Sequence, residues 1–253
     1  MTTCILLAGG NGTRTGIDCP KQFLEIQDKP IFSYGLETLE QIEEVDLIIV
    51  VVLENWEDYV NKWIQKLGFK KSKYIVYGGE SRQHSIYNGL KKARKFMADE
   101  DIVMVHDAAR PLLNPDVVRR TIAMAQKKGS ALPVIKENDA LYMSADDRYV
   151  EQTLSKSGLY RGQTPVCIRF GVYYDLHTSA QDEDLIKAKG SCSLLFQNNI
   201  KVAMVEGDEK TYKITTKKDV DMFIGYLNLT NENLQVYDNH MVKDREKEII
   251  WPV

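Results

Sequence analysis

No apolar run in this 253-residue chain approaches the ~18 residues a bilayer span needs, and no basic stretch precedes a long apolar one at the N-terminus. A cytoplasmic protein without membrane association is the expectation. Cysteine is scarce: Cys4, Cys19, Cys167 and Cys192 form no Cys-x-x-Cys pair and no zinc-like spacing, so neither a disulfide scaffold nor a zinc site is read here. Surplus positive charge is missing too. Against 33 lysines and arginines stand 36 aspartates and glutamates, a net −3, which excludes a general binder of nucleic acid or of anionic membranes. Any anion site must be local. With 43% hydrophobic residues the chain can fill a sizeable core, and one large α/β domain with an insertion is favoured.

Glycine is concentrated at one place. The apolar run Thr3-Cys4-Ile5-Leu6-Leu7-Ala8 breaks into Gly9, Gly10, Gly12 and Gly16, followed by Pro20-Lys21-Gln22. A buried strand emptying into such a loop lets backbone N–H groups approach an anion without obstruction from Cβ atoms. Arg14 and Lys21 add two cations to a candidate phosphate cradle. It is not a Walker A loop, because no lysine follows any of these glycines, and it is not a dinucleotide fingerprint, because Thr15 stands where the third glycine belongs.

Downstream, β-branched runs alternate with helical periodicity, which predicts βαβ units and a largely parallel sheet. Strands are expected at 3–7, 47–53, 74–77, 102–105 and 201–205, with helices at 30–42, 55–67, 81–97 and 219–227. The fourth strand delivers His106-Asp107-Ala108-Ala109-Arg110-Pro111 at its C-terminal end, where ligands bind in open α/β sheets. Asp107 there could cap a helix or hold Mg²⁺; beside a phosphate loop, Mg²⁺ is the better reading. Residues 136–158 are polar and irregular and read as an arm, and residues 228–253 as a C-terminal extension to a domain spanning 1–227.

Six separated motifs, namely Leu7-Ala8-Gly9-Gly10-x-Gly12-Thr13-Arg14-x-Gly16, Pro20-Lys21-Gln22, Gly79-x-x-Arg82-x-x-Ser85, His106 to Pro111, Gln163-Thr164-Pro165 and Lys213-Ile214-Thr215-Thr216, resemble the IspD/TarI group of cytidylyltransferases. Those enzymes make CDP-methylerythritol or CDP-ribitol from CTP and a polyol phosphate. The resemblance implies a three-layer α/β/α Rossmann-like nucleotidyltransferase fold with a protruding dimerisation arm. It implies that Leu7, Ala8, Gly9, Gly10, Gly12, Thr13, Gly79, Arg82, Ser85 and Ala108 bind the nucleotide. Arg14 and Lys21 would stabilise charge at the α-phosphate, Asp107 would ligate Mg²⁺, and Lys213 would bridge acceptor phosphate and α-phosphate. Arg110, Asp139, Lys156, Lys189 and Thr215 fall on the acceptor side, and a homodimer with exchanged arms is implied.

The departures cluster. Where the family's arm carries an Asp-Thr pair and an Arg, this chain has Asp139-Ala140 and Lys156, and a Thr-Asp pair becomes Lys189-Gly190. An arginine fork exchanged for a lysine point charge changes how an acceptor phosphate is held. Nucleotide motifs intact and acceptor motifs altered read as the same reaction on a different acceptor: ribitol 5-phosphate or a longer alditol or sugar phosphate such as glucitol 6-phosphate, for surface-polysaccharide synthesis. Methylerythritol phosphate is the alternative acceptor, and a non-catalytic nucleotide-binding homologue the alternative of another class. A dehydrogenase is set aside because Glu54 is suitably placed while the loop is wrong.

Overall fold

The longest all-apolar run becomes an interior strand of the sheet. In a computed structural model, which describes residues 1–10 and 19–232, Leu47–Val52 is a strand buried at every position. In chain order the elements are β1 (Thr2–Ala8), β2 (Glu25–Ile26), β3 (Lys29–Pro30), α1 (Ile31–Gln41), β4 (Leu47–Val52), α2 (Glu57–Lys66), β5 (Ser72–Tyr77), α3 (Arg82–Ala93), β6 (Ile102–Asp107) and α4 (Pro115–Lys128). There follow β7 (Ser130–Lys136), β8 (Leu141–Met143), β9 (Gln152–Leu154), β10 (Tyr160–Gly162), β11 (Val166–Arg169), α5 (Phe170–Ser179), α6 (Asp182–Lys187), α7 (Ser193–Gln197), β12 (Ala203–Glu206) and α8 (Lys217–Glu232).

The main sheet runs β10-β7-β11-β6-β1-β4-β5, with β12 on the outer side of β7. β1 pairs in parallel with both β4 and β6, and β4 with β5; β11 enters antiparallel. The sheet is mostly parallel, and alternation along its strands sends apolar side chains to two cores. On one face Cys4, Leu6, Ile48 and Val50 meet Leu36 of α1, Val60 of α2 and Ile122 of α4; on the other Ile5, Ile49 and Val103 meet Ile86 and Leu90 of α3 and Phe170 of α5. The three-layer architecture follows. Gly89 lets α3 come close to β1, since a Cβ there would lie 2.7 Å from Ile5 Cγ2.

Two boundaries differ from expectation in ways that matter for the site. β6 continues through His106 and Asp107, which pair in register with Leu6 and Leu7, so both residues are strand residues and not loop residues. α8 continues to Glu232, so an extension beginning at 228 would start in mid-helix. Its buried face, Val220, Phe223 and Leu227, packs on Ile26 and Ile31 beside the second small sheet, β2-β3. The arm is a short hairpin, β8 with β9. Residues 233–253, including Trp251, lie outside the described residues. Among the described residues no helix is long and apolar enough to cross a membrane.

Candidate active site

The chain moves outward from β1 through β4 to β5 and then returns to β6 on β1's other side. That reversal opens a crevice at the carboxyl ends of β1 and β6, the switch point where open sheets bind ligands. β1 ends there at Ala8 and leads into Gly9 and Gly10, and β6 ends there in Asp107. Asp107 is the electrostatic centre. Its Oδ1 accepts from Arg82 Nη2 at 2.8 Å and its Oδ2 from Lys213 Nζ at 2.8 Å.

Each cation is placed by the fold. Arg82 opens α3, which Ser81 caps by accepting the His84 N–H at 3.2 Å, and its Nη1 donates to Ser191 Oγ at 2.8 Å. Lys213 is tethered by its neighbour Ile214, wholly buried, whose N–H donates to Ala109 O at 2.8 Å. Burial by itself would raise the Asp107 pKa, but Arg82 and Lys213 outweigh it and hold the carboxyl well below the usual carboxylate range. The same pairing raises Arg82 despite the opposing effect of burial. Asp107 and Arg82 thus stay charged together.

Behind Asp107, His106 is fully buried and pushed down from 6.5 to about 4, chiefly by desolvation. The hydrogen-bond network assigns the neutral tautomer with the proton on Nε2: that N–H donates to Arg110 O at 3.2 Å, and Nδ1 accepts the Thr164 hydroxyl at 2.9 Å. Thr164 Oγ1 in turn accepts the Asp107 N–H at 3.3 Å. The acid behaviour follows from this. Between pH 6.5 and 4 the unfolded chain takes up a proton at this position and the folded one does not, so stability falls as pH drops through that window, by about 3 kcal/mol at its acid end. Thermal unfolding at neutral pH and near pH 4.5 is expected to show a marked drop in Tm; a His106→Gln variant with the same acid sensitivity would assign the loss elsewhere.

The crevice encloses about 510 Å³, bounded by Gly9, Gly10, Lys21, Arg82, Asp107 and Lys213 among others. Leu7, Gly79 and Ser85 line it too. Ser85 Oγ accepts the Gly79 N–H at 3.1 Å and donates to Ser81 O at 3.0 Å. Glycine is required at 79, where a Cβ would fall 2.4 Å from His84 Cβ. Ala8 is buried just behind the cavity. Gly12, Thr13 and Arg14 lie outside the described residues.

Other expected site residues sit differently. Ala108 is buried with its N–H on Leu7 O at 3.0 Å; its neighbour Ala109 faces the cavity. Arg110 does not line the cavity: it donates to Thr211 O at 2.7 Å and Gly162 O at 3.5 Å, tying the loop after β6 to the loop before Lys213. Thr215 donates its N–H and hydroxyl to Asp219 Oδ2, each at 2.8 Å, which secures the start of α8. Asp139 and Lys156 are exposed on the arm, away from this chain's cavity, with Lys156 Nζ on Asn138 O at 2.8 Å. Lys189 is exposed; the residue of its segment that meets the site is Ser191, through Arg82. Ser191 and Gln22, which donates to Ala8 O and Gly10 O at 2.7 and 2.8 Å, join the site beside Leu53, Glu80, Ser81 and Ala109, none of them given a role from sequence.

The residues present do not fit a Mg²⁺ ion held by protein. Asp107 was the expected ligand, but both its oxygens are engaged by cations, and among the described residues no three His, Cys, Asp or Glu side chains gather. Positive charge at the centre comes from Arg82 and Lys213.

Residues 2–228 match the family model of IspD, 2-C-methyl-D-erythritol 4-phosphate cytidylyltransferase. The chain is 32% identical over 238 residues to ribitol-5-phosphate cytidylyltransferase of Vibrio parahaemolyticus, covering 94% of this chain and 100% of that one. It is 34% identical over 222 residues to 2-C-methyl-D-erythritol 4-phosphate cytidylyltransferase of Thermotoga neapolitana, covering 88% and 95%. Its fold is similar to the crystal structure of 4-diphosphocytidyl-2C-methyl-D-erythritol synthase from Anaerococcus prevotii, with a TM-score of 0.75 at 25% identity over 90% and 96% of the two chains. The switch-point cavity, with its glycine edge and cationic centre, is that of a nucleotidyltransferase. The chain belongs to the IspD family of cytidylyltransferases.

Proposed function

We propose that the protein transfers CMP from CTP to the phosphate of ribitol 5-phosphate or of a longer alditol or sugar phosphate, giving a CDP-polyol and pyrophosphate. The observation that carries this reading is the buried carboxylate of Asp107, holding two cations in the cavity beside Gly9 and Gly10. In the reaction an acceptor phosphate oxygen bonds to the α-phosphorus while the bond to pyrophosphate breaks. Two anions must be brought together, so fixed cations do more than a protein nucleophile could. Lys213, with a side chain 37% exposed, reaches the open cavity from a fixed backbone. Any Mg²⁺ is proposed to come with the triphosphate, on phosphate oxygens.

Overall identity does not choose the acceptor, since the two relatives above differ in acceptor and are 32% and 34% identical to this chain. Ala140 and Lys156, in place of a hydroxyl and a guanidinium on the arm, disfavour methylerythritol phosphate and leave both ribitol 5-phosphate and a longer alditol or sugar phosphate as acceptors. The arm's exposed Tyr142, Met143, Tyr149 and Val150 support a homodimer with exchanged arms, which would carry Asp139 and Lys156 to a neighbour's cavity. We place this dimer in the cytoplasm and its product in surface-polysaccharide synthesis. Retention of Lys21, Asp107 and Lys213 argues against a non-catalytic nucleotide binder. Pyrophosphate release from CTP is expected with ribitol 5-phosphate or glucitol 6-phosphate and only weakly with methylerythritol 4-phosphate. Preference for the last would overturn the acceptor, and CTP binding without turnover on any acceptor would favour the non-catalytic reading.

A further inference from the structure

Gln22 is a polar side chain only 2% exposed, and its amide nitrogen Nε2 donates to two backbone carbonyls, Ala8 O at 2.7 Å and Gly10 O at 2.8 Å. Those carbonyls bracket Gly9, at the point where β1 turns into the glycine loop. Because a peptide unit is planar and trans, drawing Ala8 O toward Gln22 turns the Gly9 N–H away from it. Gln22 is itself held from behind. It sits in a 3-10 turn, Lys21–Phe23, whose Phe23 ring stacks on Trp56 at 4.3 Å between centroids and meets the Tyr59 ring edge-on at 5.9 Å.

We infer that Gln22 is a positioning residue for the nucleotide: backed by Phe23, Trp56 and Tyr59, it fixes the bend at Gly9 and Gly10 in the shape that receives the triphosphate before CTP arrives. This rests on the CTP reading above. Gln22 lines the cavity, but both N–H groups of its amide are taken up by the two carbonyls, so its effect lies in how often the bend at Gly9 and Gly10 is in the receiving shape. Apparent affinity scales with that fraction, whereas turnover at saturating CTP does not. The side chain is also not replaceable by a carboxylate of the same size, since glutamine supplies two N–H donors and an ionised glutamate none.

Gln22→Ala and Gln22→Glu in the full chain test it, with CTP affinity measured by calorimetry alongside kcat and both KM values. For Gln22→Ala the Kd and KM for CTP are expected to rise about tenfold, with kcat at saturating CTP and the acceptor KM little changed. For Gln22→Glu the loss of CTP affinity should shrink as pH is lowered, because the protonated carboxyl regains one donor. Should alanine unfold the protein, the near-isosteric Gln22→Met takes its place with the same expectation. A variant with a lowered Tm but wild-type CTP affinity, or with a glutamate penalty independent of pH, overturns the inference. A wild type that binds no CTP overturns the proposed function and this inference with it; a wild type that binds CTP beside an alanine variant that binds equally well overturns the inference alone.

Discussion

Lys213→Met is expected to lower kcat by roughly 10²- to 10³-fold, the loss typical when one preorganised charge-stabilising donor is removed from a reaction centre. The expectation stands on how little else the substitution disturbs. Ile214 is wholly buried and bonded through its N–H to Ala109 O, so the backbone at 213 stays where it is. Methionine keeps the unbranched stem and removes only the ammonium. Asp107 keeps Arg82 at 2.8 Å, which limits the stability cost. Lys213→Arg should recover only part of the activity, because a planar fork on a longer stem does not place its charge where a compact ammonium sits. Steady-state kinetics with CTP and the preferred acceptor check both variants. Wild-type turnover in Lys213→Met would move the charge at the α-phosphate to another residue.

The strands that build the crevice were legible because their residues carry their own burial signal. Leu47–Val52 is apolar at every step and is covered on both faces. The end of β6 was not, for the same reason. His106 and Asp107 look like loop residues in sequence, yet they extend the strand because partners far along the chain satisfy them: Thr164, 57 residues from Asp107, and Lys213, 106 residues away. Periodicity has no access to such partners. Gln22 stands in the Pro20-Lys21-Gln22 motif, but its burial and its two bonds to Ala8 O and Gly10 O show only in the structure.

Motifs misled where one pattern serves two purposes. In Lys213-Ile214-Thr215-Thr216 roles are expected for Lys213 and Thr215, but Thr215 and Thr216 both donate to Asp219, two hydroxyl residues four and three positions before an aspartate. Only Lys213 turns to the cavity. Arg110 likewise sits in a motif beside Asp107 and spends two of its donors on backbone carbonyls. In the segment from Lys189 to Cys192 the charged residue drew attention, while the small Ser191 meets Arg82.

Asp107→Asn is expected to move three quantities in directions that no simple loss of structure would produce. Stability should fall, because the amide cannot neutralise two cations that remain in place. Breaking a wholly buried pair costs about 3–5 kcal/mol, and this one about 2–3, since the Lys213 side chain is 37% exposed and partly screened. CTP affinity should hold or improve, because a negative charge has been removed from a site that receives a triphosphate. Turnover should drop about 10²-fold, the scale of a misplacement of about 1 Å, because nothing then fixes Arg82 and Lys213 relative to each other. Saturating CTP should restore part of the lost Tm, as a ligand that binds only the folded state must. Thermal melts with and without CTP, calorimetry and kcat read all three signs. The same variant separates an ion-pair anchor from a metal ligand: if Asp107 held Mg²⁺, a higher Mg²⁺ concentration would restore the rate, whereas an anchor for Arg82 and Lys213 leaves the loss in kcat unchanged at any Mg²⁺ concentration.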